Sequence, residues 1–316
     1  MNLRQNETKR IVHAPAKLNL FLDVFDRRAD GFHDLETLMV PIRWFDSLAL
    51  EPLPADAQRM GDIIFRLVVC QRAQGTGESC AGVPAGGDNL VVRALELLRQ
   101  RSGCSSGARV ELVKRIPSAA GLGGGSSDAA AALELANRAW GIHWPPERIA
   151  ALAAELGSDV PFFLSHGPAV CRGRGDCVER LPSVAPLHVV IVKPPAALAT
   201  REVYDQLDVL PAGAPAQLTD GNLCRLSSLI RALRQGNLFG VDRWIYNRLQ
   251  AAADALSPWI GRIRAEFAAL DFLGHQLTGS GTAYFGICRH ARHARRLASI
   301  LMTRQLGLVY VTRSCR

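Results

Sequence analysis

Nowhere does this 316-residue sequence hold an uninterrupted apolar run near the roughly 18 residues that a membrane-spanning helix needs. Its opening, MNLRQNETKR, leads into no apolar segment of the kind that marks an export signal. A soluble, cytoplasmic protein with no membrane partner is the expectation. The eight cysteines, at 70, 80, 104, 171, 177, 224, 288 and 315, form no CxxC pair, and none has a histidine at zinc-ligand spacing. Thioredoxin-type and zinc-ribbon readings are thereby excluded, and the cysteines read as reduced thiols, mostly buried small apolar residues. No segment repeats at a fixed period, so solenoids and propellers are excluded too.

What is present suits a folded protein. An apolar fraction of 48% over this length can fill one large core or two ordinary ones. The formal net charge of +8 favours anionic partners without choosing among nucleic acid, lipid headgroups and phosphorylated small molecules.

From Ile11 to Val24, Leu18, Leu20 and Leu22 alternate with Lys17, Asn19, Phe21 and Asp23, the period-two pattern of a strand with one face in a core. Lys17 and Asn19 then project together from the other, exposed face. Residues 71–89 read as a long surface loop, and a helix runs from Asn89 to a closing glycine at Gly103. A strand over 108–117 ends at Pro117, a helix spans Asp128–Trp140, and a shorter one runs from the prolines at 145–146 to Gly157. A hairpin follows in AVCRGRGDCVERL, and a domain boundary falls near Pro182. Beyond it come a strand in LHVVIVKP, a Pro- and Ala-rich connector and helices within 222–270. The strand-turn-strand HQLTGSGTAYFGIC, a basic helix and a last strand complete the chain. The mixed order predicts α+β packing in two domains, 1–182 and 183–316.

The most informative stretch is IPSAAGLGGGSSDAAAAL, 116–133. Glycines placed directly before a helix turn several backbone N–H groups toward one point, where the helix dipole adds positive charge, an arrangement suited to a polyphosphate. It is not a Walker A loop, because no lysine precedes Ser126 and Ser127. A Rossmann fingerprint fits poorly, since Pro117 intervenes and no acidic strand end follows. By itself the cluster reads equally as a flexible turn; Ser-Ser-Asp at the helix start tilts it toward a phosphate with Mg²⁺ beside it.

With those residues in view, PSAAGLGGGSSDA resembles the phosphate loop of the superfamily that includes galactokinase, homoserine kinase, mevalonate kinase and phosphomevalonate kinase. APAKLNLFLDV (14–24), RADGFHDLETLM (28–39), GSDVPFFL (157–164), LATREVY (198–204) and LTGSGTAYFG (277–286) occur in family order. Together they resemble the branch that phosphorylates 4-diphosphocytidyl-2-C-methyl-D-erythritol. The resemblance implies a two-domain small-molecule kinase fold, with an N-terminal ribosomal-protein-S5-domain-2-like ATP-binding domain and a C-terminal ferredoxin-like domain.

It also implies roles. ATP would lie on Pro117, Ser118, Ala119, Ala120, Gly121, Leu122, Gly123, Gly124, Gly125, Ser126 and Ser127, with a second glycine turn at Thr278, Gly279, Ser280 and Gly281. Asp159 would be the base toward the acceptor hydroxyl, and Lys17 would stabilise developing charge there; standing alone, they read as a helix cap and a surface lysine. Asn19 would position substrate or Lys17. Phe32 and His33 would hold the cytosine by stacking and hydrogen bonding, with Tyr204 on its other face and Thr200 nearby. The family often has tyrosine where this chain has Phe32, which keeps the stacking and removes a hydroxyl. The cofactors implied are ATP and Mg²⁺, the metal placed on Ser127, with Ser126 and Asp128 as further contacts. The partners are two small molecules, with no nucleic acid and a monomer or weak homodimer; the basic helix at 290–296 carries no aromatic interleaving. Rival readings are another alcohol kinase of the superfamily, or an inactive ligand-binding or nucleic-acid-binding relative.

Overall fold

The structure, a computed structural model, describes residues 10–53, 62–70, 82–182, 184–210 and 220–315, with 220–223 described by their backbone. The first nine residues, most of the loop expected at 71–89 and the 211–219 part of the connector lie outside them. In chain order the elements begin with β1 (Arg10–Arg27), β2 (His33–Leu53), β3 (Ile63–Val69), α1 (Leu90–Ser102) and β4 (Gly107–Lys114). They continue through α2 (Gly124–Ala139), α3 (Pro146–Leu156), α4 (Val160–Leu164), β5 (Ala169–Gly173), β6 (Cys177–Arg180) and β7 (His188–Lys193). Then follow α5 (Thr200–Val209), α6 (Asp220–Gln235), β8 (Tyr246–Asn247), α7 (Gln250–Leu256), α8 (Pro258–Ala268), β9 (Gly274–Leu277), β10 (Tyr284–Cys288), α9 (Ala291–Thr303) and β11 (Leu308–Arg313).

Two compact units form, each discontinuous in sequence: Met1–Ala16, Trp44–Ser118 and Gly123–Leu164 make the first, and Lys17–Arg43, Ala119–Leu122 and Ser165–Arg316 the second. In the first, β4 pairs antiparallel with the far half of β2, Ser47 opposite Val113, and parallel with β3, Ile63 opposite Ala108. α1 packs on α2, and α2 on α4. The Asn89 side chain accepts from the Val91 N–H, and Gly103 closes α1 in the left-handed conformation, satisfying both ends as the sequence signals.

In the second unit the near half of β2 pairs antiparallel with β5, and β5 with β6, the expected hairpin. β8 lies parallel to β1 through Phe21 and Leu22. A separate antiparallel sheet runs in the order β11-β7-β10-β9, packed by α8 and α9 in the ferredoxin-like manner. Its core joins Val190, Val192, Phe267, Tyr284 and Leu297, all fully buried. Removing an aromatic or branched side chain of this size from water contributes about 1.5–3 kcal/mol each.

Four expectations need correction. β1 is covered on both faces: Lys17 and Asn19 are each 3% exposed, and Asp23 and Phe21 are buried with them. α2 starts at Gly124 within the glycine run, not at Asp128. A helix, α5, occupies the segment read as connector. Of the described cysteines only Cys171 and Cys288 are buried, while Cys70, Cys177 and Cys224 are exposed and Cys104 and Cys315 half-buried.

Candidate active site

In the first unit the glycine segment leaves β4 and returns as the start of α2. Gly123, at φ +68°, holds the cap position without a side-chain hydrogen bond, so the first turn presents its backbone donors as an anion site. Gly125 is exposed, Ser118 and Ser126 are half-buried, and Pro117, Gly124 and Ser127 are buried. The Ser127 hydroxyl and Asp128 Oδ1 are buried without a hydrogen-bond partner among the described residues. An orphaned hydroxyl in the first turn of such a helix fits a phosphate oxygen or a divalent cation beside it.

Asp128 itself is committed elsewhere: Lys114 Nζ donates to its Oδ2 at 2.7 Å, and also to Asp46. Burial pushes the Asp128 carboxyl up to about 7, opposed by Lys114 and reinforced by Asp46. Burial lowers Lys114, but the two carboxylates outweigh it and leave its pKa raised. Asp159 is half-buried in the turn ahead of α4, where the Val160 N–H donates to Gly157 O at 3.1 Å. Val160, Phe162 and Phe163, just beyond it, are buried.

In the second unit Lys17, Asn19, Ala120, Gly121, Leu122 and the turn 278–281 come together. The Lys17 N–H donates to Leu122 O at 2.9 Å, and the Ala283 N–H to Ala120 O at 3.1 Å. A Cβ on Gly121 would stand 2.0 Å from Thr278 O, and one on Gly281 2.0 Å from Gly121 N, so the two segments touch backbone to backbone. Ala119 precedes this contact at φ +48°. Lys17 Nζ donates to Asn19 Oδ1 and lies 3.2 Å from where a Gly279 Cβ would be. Asn19 Nδ2 in turn donates to Thr37 Oγ1 at 2.8 Å, and the Asn19 N–H to Thr278 Oγ1 at 3.1 Å. A buried amine held by a buried amide against a glycine turn is a fixed positive charge, suited to a phosphate.

The residues expected around the cytosine also share the second unit. His33 and Tyr204 lie with ring centroids 5.3 Å apart. His33 Nε2 donates to Asp208 Oδ1 at 2.9 Å, and Arg27 pairs with the other oxygen at 3.5 Å. Phe32 is 51% exposed, with the Arg174 guanidinium 4.8 Å from its ring centre. Thr200, at the start of α5, receives a hydrogen bond from Ser280 Oγ at 2.9 Å, which joins the expected substrate and second-turn residues.

Sequence reasoning passed over Asp208, Arg174, Asp46, Lys114 and Thr37. For Asp208 a signal existed: it follows Thr200 and Tyr204 at intervals of four, one face of a helix. Lys114 falls on an inward position of β4, where a lysine needs partners, but its carboxylates lie far off in sequence.

Residues 89–167 match the family described as GHMP kinases N terminal domain, and residues 229–306 that described as GHMP kinases C terminal. A Pelotomaculum thermopropionicum protein named 4-diphosphocytidyl-2-C-methyl-D-erythritol kinase is 37% identical over 288 residues, 90% of this chain and 91% of that protein. One of the same name from a Polaromonas species is 38% identical over 279 residues, covering 88% and 83%. A crystal structure of 4-(cytidine 5'-diphospho)-2C-methyl-D-erythritol kinase superposes with a TM-score of 0.74 at 32% identity, over 97% of this chain and 100% of that one. Similarity of this extent, spanning both portions of the fold, settles the lineage: the chain belongs to the 4-diphosphocytidyl-2-C-methyl-D-erythritol kinase family of GHMP kinases.

Proposed function

We propose that this kinase transfers the γ-phosphoryl group of ATP to the 2-hydroxyl of 4-diphosphocytidyl-2-C-methyl-D-erythritol, a step of the non-mevalonate route to isoprenoid precursors. The observation that carries the reading is the buried Lys17 ammonium, held by Asn19 against the 278–281 turn where that turn meets Gly121. His33 and Tyr204, with Phe32 next to His33 in sequence, supply a ring and hydrogen-bond set suited to a cytosine.

In the proposed reaction the hydroxyl oxygen bonds to the γ-phosphorus, the bond to the β-phosphate oxygen breaks, and ADP leaves. Asp159 takes the hydroxyl proton, and Lys17 stabilises the charge that spreads over the transferring oxygens. The N-terminus of α2, with Ser118, Gly125 and Ser126, holds the ATP phosphates, and the turn from Thr278 through Ser280 adds backbone donors. The orphaned Ser127 hydroxyl is the group that would hold Mg²⁺, and Ser126 is its neighbour on the same turn. The metal, when bound, neutralises phosphate charge. Phe32 and Tyr204 stack on the cytosine, His33 and Thr200 make polar contacts, and Asn19 keeps Lys17 in place. The enzyme is proposed to work in the cytoplasm on these two small molecules, as a monomer or weak homodimer.

ATP consumption with the cytidyl substrate tests this. Asp159→Asn and Lys17→Ala are expected to lose about a hundredfold or more in kcat while nucleotide affinity changes little. Unchanged turnover in Asp159→Asn removes it as the base, and faster turnover of homoserine or mevalonate sinks the substrate assignment.

A further inference from the structure

The glycine segment is a seven-residue excursion, 117–123, whose two ends meet one buried charge cluster in the first unit. At the entry, Asp46 Oδ1 accepts from the Arg115 and Ile116 N–H groups, the latter at 2.9 Å. At the exit, Asp128 in the first turns of α2 accepts from Lys114 Nζ, and that same ammonium donates to the other oxygen of Asp46. The three side chains are nearly inaccessible, at 0%, 4% and 3% for Asp46, Lys114 and Asp128. Entry and exit are also in steric contact, since a Cβ on Gly124 would stand 3.0 Å from Ile116 Cγ2 and 3.2 Å from Lys114 Nζ.

Buried ion pairs are poor stabilisers, because desolvation offsets their attraction, so stability alone explains this triad badly. Its distinctive effect is geometric. A glycine-rich segment samples many backbone conformations, and each costs nucleotide affinity unless the segment is held in the receptive one beforehand. Tying residues 115–116 and 128 to one rigid cluster fixes the distance between the ends while leaving the glycine backbone free of side chains.

We infer that Asp46, Lys114 and Asp128 are positioning residues, a buried clamp that pre-forms the glycine segment and so sets affinity for the nucleotide. The inference rests on the proposal that this segment holds the ATP phosphates. Such a clamp acts on one substrate and not on the other, which a merely structural salt bridge would not do.

Calorimetric titration of ATP with Mg²⁺, and separately of the cytidyl substrate, onto the parent, Asp128→Asn, Asp128→Ala and Asp46→Ala provides the test. Asp128→Asn keeps an oxygen for Lys114 and is expected to hold ATP within about threefold of the parent, whereas both alanine variants weaken ATP about tenfold or more, with cytidyl affinity within about twofold. If Asp46→Ala fails to fold, Asp128→Ala carries the test, because it leaves Lys114 and Asp46 as a balanced pair. A folded Asp128→Ala that binds ATP as tightly as the parent overturns the clamp, and so does equal weakening of both ligands. A parent that takes the cytidyl substrate but no ATP overturns the phosphate-loop reading itself, and the clamp falls with it.

Discussion

Position 281 admits only hydrogen, because the carbonyl carbon of Ala120 and the nitrogen of Gly121 lie where a side chain would begin. These are backbone atoms, with no flexible end to swing aside. Gly281→Ala must therefore separate the two glycine segments, and it is expected to lower stability by about 3 kcal/mol, as severe overpacking does. Denaturant unfolding of the variant checks this, and a midpoint equal to the parent's would show that the segments do not need to touch. The TGSG run was legible as a turn with accessible backbone, but its partner was not, since contact across so much sequence leaves no local pattern. Lys17 shows the same limit. Alternation correctly put Lys17 and Asn19 on one face of β1, and it read that face as exposed because a lone strand cannot announce a second cover. Their mutual hydrogen bond and the bond from Asn19 to Thr37 are what make the burial tolerable.

Among the elements, α1 was legible end to end because Asn89 and Gly103 punctuate it chemically. α2 was read four residues short, since glycine disfavours helix and Gly124 and Gly125 look like loop; tertiary packing of the following alanines overrides that preference. α5 went unread behind its Pro- and Ala-rich lead, having only Val203 fully buried. Yet α5 carries Thr200, Tyr204 and Asp208 on one face, and Asp208 fixes the His33 ring from its Nε2 side. With Asp208→Ala the imidazole loses its acceptor in a nearly buried position and turns away from its set orientation. The expected result is a KM for the cytidyl substrate raised about tenfold with KM for ATP within about twofold, the signature of a lost orienting hydrogen bond in one pocket. Steady-state kinetics with each substrate varied in turn checks it, and equal rises in both KM values would place Asp208 outside substrate recognition.

For the whole molecule, the order of strands and helices made the α+β class legible, and the strand-turn-strand between 274 and 288 is as expected. The proposed boundary near Pro182 falls between β6 and β7 along the chain, whereas the compact units interleave, because β1 and β2 are long enough to contribute to both. Each strand runs unbroken through the point where it changes unit, so no turn segment in the sequence marks the crossing. Net charge is the property of the molecule that sequence reports most directly, and at +8 it bears on how two polyanionic substrates arrive. At the basic helix α9 one carboxylate offsets only part of that field: Arg289, His293 and Arg296 all converge on Asp271, whose carboxyl is held far below its ordinary range by hydrogen bonds from Arg289 and His293 first, while Arg292 and Arg295 of the same helix are exposed. The remaining excess of arginine draws the phosphorylated substrates, and mobile ions screen that attraction. Raising KCl from roughly 50 to roughly 300 mM is therefore expected to lower kcat/KM for both substrates about three- to tenfold with little change in kcat. A flat salt profile for both would show that the surplus charge takes no part in capture, and a fall in kcat alone would place the salt effect on a step after binding.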